Sequence, residues 1–162
     1  MLVHWRSNTI PLALVFAVLC QTGFLTSCSS TPPRYPESHA RFERIVKAVE
    51  SLQQAYIAHD QAATNDLLLP LENLITWEQG IQKDFQTYPD IFLDLLIDRI
   101  VINGDLISVQ VSWQGEWKNN NEQQTVKARG QGTLHWSGTH VILLTGVEGD
   151  LPFGMADRQA MS

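Results

Sequence analysis

The sequence predicts an α+β domain in which helices come first and a four-stranded antiparallel meander follows. Three observations carry this reading. Between Phe42 and Phe85, apolar residues recur at spacings of three and four, the period of helices that bury one face. After Pro89 the period falls to two, as in strands that bury alternate side chains. The strand-like stretches are parted by Asn-Gly, Asn-rich and Ser-Gly segments, which suit tight antiparallel reversals.

Ser38 stands where an N-cap would open the first helix. Phe42, Ile45, Val46, Val49, Leu52 and Tyr56 form its apolar stripe, which runs to about His59, while Arg41, Arg44, Lys47 and Glu50 fall mostly off it. Asp60 is placed to cap a short second helix reaching Leu68. Pro70 is suited to the first turn of a third helix, carried by Leu71, Leu74, Ile75, Trp77, Ile81 and Phe85 toward Gln86. Gly80 weakens it mildly.

The first strand is expected from Ile91 to Ile102, turning at Asn103-Gly104-Asp105. In the second, Leu106 to Lys118, Ile107, Val109, Val111, Trp113 and Trp117 face one way and Ser108, Gln110, Ser112, Gln114 and Glu116 the other. Loop length decides the register. A two-residue Asn-Gly turn would set Asp98 opposite Val109 and Asp94 opposite Trp113; a three-residue loop would set Ile97 opposite Val111 and Leu95 opposite Trp113. The second arrangement joins the apolar faces and is the expected one, because a one-residue slip moves every side chain across the sheet. Asn119 to Asn121 make the next turn. Val126, Ala128, Gly130, Gly132, Leu134 and Trp136 then share a face of the third strand, where the glycines predict a bulge, a bend or the close approach of another backbone. Ser137-Gly138 turns the chain into a fourth strand, Val141 to Val147. Glycines and Pro152 end regular structure, and residues 155–162 read as a flexible tail beyond a domain spanning 38–154.

The segment ahead of this domain reads as an export leader. Arg6 precedes an unbroken apolar run from Ile10 to Leu19, and no acid appears before Glu37. A membrane-spanning helix needs about 18 apolar residues or more, so the run is too short for one. The stretch Leu25-Thr26-Ser27-Cys28 resembles the lipobox of bacterial lipoproteins, which makes 1–27 a signal peptide. The resemblance implies a diacylglycerol thioether and an amide-linked acyl chain on Cys28, and Ser29 in place of aspartate implies the outer membrane, facing the periplasm. An uncleaved anchor or an ordinary secretory signal is the alternative. Residues 28–37, with Pro32, Pro33 and Pro36, read as a lipidated, extended tether. Cleavage would remove Cys20 and acylation would block Cys28, leaving no thiol for a disulfide or a thiolate metal site.

Losing Arg6 would leave 10 of the 11 basic residues against 17 acids, a net charge of −7. Such a domain repels phosphate backbones, so nucleic acid is not an expected partner. The lack of a polybasic segment leaves membrane attachment to the lipid alone.

Helices followed by a long meander, with Ala55-Tyr56-Ile57-Ala58-His59-Asp60, Asp84-Phe85 and Ile102-Asn103-Gly104-Asp105 at the junctions, resemble the nuclear transport factor 2-like fold and its polyketide-cyclase-like relatives over residues 38–150. That resemblance implies a cone in which a curved sheet wraps the first helix. Leu67 to Leu71 leaves little room for the short strand the family places between its second and third helices.

Candidate chemistry is sparse. Asp94 and Asp98 fit solvent-facing charges better than an acid–base pair, since the expected register turns both away from the apolar face. Arg99 shares the face of Leu95, Ile97 and Val101, where it would pass the rim, pair with an acid such as Asp150, or bind a ligand. His135 and His140 flank one turn without a third ligand at metal-site spacing. His59 suits a helix C-terminus. Trp113, Trp117 and Trp136 either fill the core or line an apolar pocket with Arg99 and His135 nearby. No cofactor or metal is expected. The sequence favours a non-catalytic module that binds an envelope protein or an apolar ligand. The alternatives are a small cone-fold enzyme using Asp98, Arg99 or His135, and a structural protein that dimerises through the polar outer face of its sheet.

Overall fold

The computed structural model describes residues 35–119 and 125–160. The leader, Cys28 and most of the tether lie outside the described residues, as does the turn at Asn120 and Asn121. Helices α1 (Pro36–Ile57), α2 (Gln61–Asp66) and α3 (Glu72–Thr87) precede strands β1 (Asp90–Asn103), β2 (Leu106–Lys118), β3 (Thr125–Ser137) and β4 (Leu143–Gly149), and helix α4 (Met155–Ala160) follows. The sheet is antiparallel in the order β1-β2-β3-β4, with the helices coming first, as the sequence predicts.

Helix α1 begins two residues ahead of Ser38, which therefore does not cap it; Pro36 occupies the first turn, where its missing N–H costs no hydrogen bond. Ile45, Val49, Leu52 and Tyr56 are buried, whereas Phe42 stays 46% exposed. The helix ends because His59 turns to φ 55°, and the N–H of Asp60 closes on the carbonyl of Ala55 (2.9 Å). Asp60 then caps α2 by accepting from the N–H of Ala63 (2.9 Å). Between α2 and α3, Leu68 forms a single parallel bridge to Leu144 at the outer edge of β4. It occupies the place of the short strand for which the sequence had little room.

The apolar register is the expected one, Leu95 opposite Trp113 and Ile97 opposite Val111, but it arises differently. The turn is a two-residue loop, Gly104-Asp105, between paired Asn103 and Leu106, and a bulge at Asp98 absorbs the residue left over. The bulge reverses the parity of β1. Beyond it Ile100 and Ile102 face Val109 and Ile107, while Arg99 pairs with Gln110 on the outer face. Arg99 therefore does not share the face of Leu95 and Ile97.

Of the bulge, bend or close backbone approach expected at Gly130 and Gly132, the close approach is present. The N–H of Asp150 donates to the carbonyl of Gln131 (3.0 Å), and the chain after β4 lies across the inner face of the sheet. Residues 155–160 are helical rather than frayed, because Met155 is buried and the first turn of α4 is capped from α3.

Candidate functional site

In a cone the natural place for chemistry is the hollow between α1 and the sheet. Here that hollow holds side chains. Trp113, Trp117 and Trp136 point inward and are at most 4% exposed, and Leu151, Phe153 and Met155 enter from the C-terminal strap at 3–4%. Phe153 meets Tyr56 and Trp77 edge-on, at centroid distances of 4.9 and 5.0 Å. Trp113 and Trp117 meet edge-on at 6.0 Å. Four surface hollows among the described residues, of about 330 to 540 Å³, are lined by none of these three indoles.

One polar constellation sits inside this packing. The indole N–H of Trp117 donates to the Tyr56 hydroxyl (2.8 Å), which donates in turn to Oδ2 of Asp84 (2.7 Å). Asp84 also accepts the N–H of Gly154 on Oδ2 (2.6 Å) and that of Ala156 on Oδ1 (2.7 Å). Tyr56, Asp84 and Trp117 are all 0% exposed. Burial pushes the Asp84 carboxyl above its ordinary value, against the hydrogen bonds that favour its charge. Burial first, then the neighbouring Asp84, hold the Tyr56 phenol well above its own. A shifted carboxyl beside a phenol is the equipment of acid–base catalysis. In this protein both groups are enclosed, and both oxygens of Asp84 are committed to the strap and to Tyr56.

The strap is fastened at further points. The Trp113 indole N–H donates to the Asp150 carbonyl (2.7 Å). The Arg158 guanidinium donates to the Asp150 carboxylate and the Leu151 carbonyl. Lys83 on α3 pairs with Asp157 on α4 (2.8 Å). Asp150 thus pairs with Arg158, not with Arg99.

The residues singled out in the sequence separate onto opposite faces. The three tryptophans lie inside. Arg99 is exposed outside, and His135 lies on the outer face opposite Ser108 and Gly146. His135 Nδ1 is 3.3 Å from the Ser108 hydroxyl, and its Nε2 is 3.5 Å from Glu148. Asp94 and Asp98 also face outward, accepting from Gln114 (3.3 Å) and Ser112 (3.0 Å). His140 is exposed. His59 ties the end of α1 to the Tyr88 carbonyl (2.8 Å). Among the described residues no group of three or more His, Cys, Asp or Glu is placed to hold a metal ion. The sequence reading used Asp84 only to mark a helix end and not as a site residue. Its signal was an acid at helical spacing from Leu74, Trp77 and Ile81, on the apolar face of α3.

No protein-family model matches the sequence, and no curated protein matches it. Solved structures do. A nuclear transport factor 2-like superfamily protein from Salmonella enterica superposes with a TM-score of 0.59 at 11% identity, covering 71% of this chain and 93% of the other. A conserved protein from Planctomyces limnophilus gives 0.60 at 12%, covering 68% and 95%. The hexachlorocyclohexane dehydrochlorinase LinA, type 2, gives 0.57 at 8%, covering 72% and 88%. The domain therefore has the nuclear transport factor 2-like α+β fold, a curved antiparallel sheet wrapped on helices. That fold hosts enzymes and other proteins alike, so at these identities the likeness carries the architecture and no activity.

Proposed function

We propose that this chain is a membrane-anchored envelope lipoprotein whose cone serves as a non-catalytic binding module. The observation that carries the non-catalytic half is the closed interior. The volume a substrate would need is taken by Trp113, Trp117, Phe153 and Leu151, and the buried acid spends its oxygens on Gly154, Ala156 and Tyr56. Arg99, His135 and Asp98, the groups an enzyme reading would use, lie on the outer face, away from that interior. The anchoring half rests on the lipobox-like Leu25-Thr26-Ser27-Cys28 after an apolar run, with an outer-membrane, periplasm-facing location as its corollary.

A second reading concerns the partner. The outer face of β1 leaves Phe92, Leu96 and Val101 at 59, 59 and 43% exposure beside the polar residues of β2. An envelope protein or a second copy of the chain would cover these side chains. Light scattering on the chain beginning at Ser29 distinguishes monomer from dimer.

Intact-mass measurement tests the anchor. The mature wild-type chain is expected to carry acyl mass and to stay with membranes, and Cys28→Ala to lose both. Unchanged mass and unchanged fractionation refute the anchor. Native mass spectra test the interior: a turnover product retained inside the cone refutes the non-catalytic assignment.

A further inference from the structure

One end of the domain gathers large apolar side chains in water. Arg41 on α1 donates to the carbonyls of Gly104 (2.8 Å) and Gly138 (2.9 Å), and Arg44 donates to that of Thr139 (2.9 Å). These bonds draw the β1–β2 turn and the β3–β4 connection together beside the start of α1. Ile102 and Leu106 flank the first turn, and Val141 lies in the second connection. Tyr35 precedes α1 as its N-cap, and Phe42 lies in the second turn of the helix. Their exposures are 41% for Ile102, 65% for Leu106, 67% for Val141, 67% for Tyr35 and 46% for Phe42. Apolar side chains grouped in this way mark a surface that meets a partner.

Two observations choose the occupant. Charge does not define this end: the positive charges of Arg41 and Arg44, which donate to carbonyls, are offset by Glu37, Glu43 and Asp105. The surface is made for apolar contact rather than for ionic attraction. The chain also enters the domain here, and Cys28 is seven peptide steps from Tyr35, a reach of at most about 25 Å.

We propose that this end of the domain rests on the bilayer that holds Cys28, with Tyr35, Phe42, Ile102, Leu106 and Val141 at the boundary between headgroups and acyl chains. The proposal depends on the lipid-anchor reading above. It adds to the acyl chains a contact that sets orientation. Gln159, beside Asn119 and Thr125 at the opposite end of the long strands, faces away from the membrane.

The test uses the full mature chain, purified from membranes and returned to phosphatidylcholine vesicles carrying a phospholipid with a photoactivatable carbene precursor in its acyl chain. Adducts mapped by mass spectrometry are expected on the peptides holding Leu106 and Val141 and not on the peptide holding Gln159. Adding phosphatidylglycerol or salt is expected to leave the pattern unchanged. The double variant Leu106→Glu and Val141→Glu, whose sites are exposed, is expected to lose the adducts while keeping its thermal midpoint. An acylated chain with no adducts at these peptides overturns the proposal alone. A dimer of the detergent-purified mature chain, seen by light scattering and abolished by the same double variant, also overturns it, by assigning the face to a second copy. A chain with no acyl mass overturns the anchor and this proposal together.

Discussion

Gly132→Ala places one methyl group where the strap crosses the sheet. An added Cβ would stand 2.7 Å from Cδ2 of Leu151 and 2.8 Å from the carbonyl oxygen of Glu148. Ordinary carbon contacts begin near 3.5 Å, so both neighbours must retreat by roughly 0.7 Å. Leu151 is 4% exposed and has little free space to enter, and the Glu148 carbonyl belongs to the backbone of β4. At an unhindered strand position, replacing Gly by Ala stabilises by about 0.4–1 kcal/mol through the unfolded chain. Overpacking a closed site costs about 1–3 kcal/mol. The expected balance is a loss of about 1–2 kcal/mol, or roughly 4–8 °C in thermal midpoint for a domain of this size. Circular dichroism melts of wild type and variant at pH 7 measure it, and hydrogen exchange should show residues 150–160 losing protection first. A midpoint equal to or above wild type would refute the claim that the strap is packed tightly on β3.

Three other outcomes follow from the interior. The raised Asp84 carboxyl binds its proton more tightly in the folded state, so its contribution to stability is greatest at pH below the ordinary carboxylate value and falls as pH rises through the elevated folded one. Tyr56 is also raised, so stability is lost as pH climbs above about 10; Tyr56→Phe should blunt that alkaline loss in melts across pH while lowering stability at pH 7, since the N–H of Trp117 loses its acceptor. Trp136→Ala empties a fully buried site and should cost about 3–5 kcal/mol by urea titration; a loss under 1 kcal/mol would mean that the inner face is loosely filled.

The element order, the antiparallel meander and the pairing of Leu95 with Trp113 were legible because periodicity changes abruptly at Pro89 and only one register joins the apolar faces. The parity of Arg99 was not legible. A bulge is a local exchange between turn geometry and face matching, and either a longer loop or an extra residue at Asp98 satisfies the same alternation. The glycines of β3 signalled a neighbour without naming it, because the strap that fills the space lies some 20 residues further along the chain. The burial of Met155 and the capping of α4 depend on Asp84, about 70 residues earlier, and a short polar C-terminal segment shows nothing of that. For the same reason the tryptophans were recognisable as inward-facing, but whether they lined a space or filled one depended on Phe153 and Leu151.

The single bridge from Leu68 to Leu144 has a consequence for self-association. An open β edge is a template on which another strand can grow. The Leu69 N–H bonds the Leu144 carbonyl at 2.9 Å, the Leu144 N–H bonds the Leu67 carbonyl at 2.8 Å, and the Asn73 amide takes the Thr145 carbonyl at 2.9 Å. At the other margin the Gln53 amide takes the Leu93 carbonyl at 2.8 Å. Short stoppers thus sit on both borders of the sheet, which disfavours strand-by-strand growth between copies of the chain.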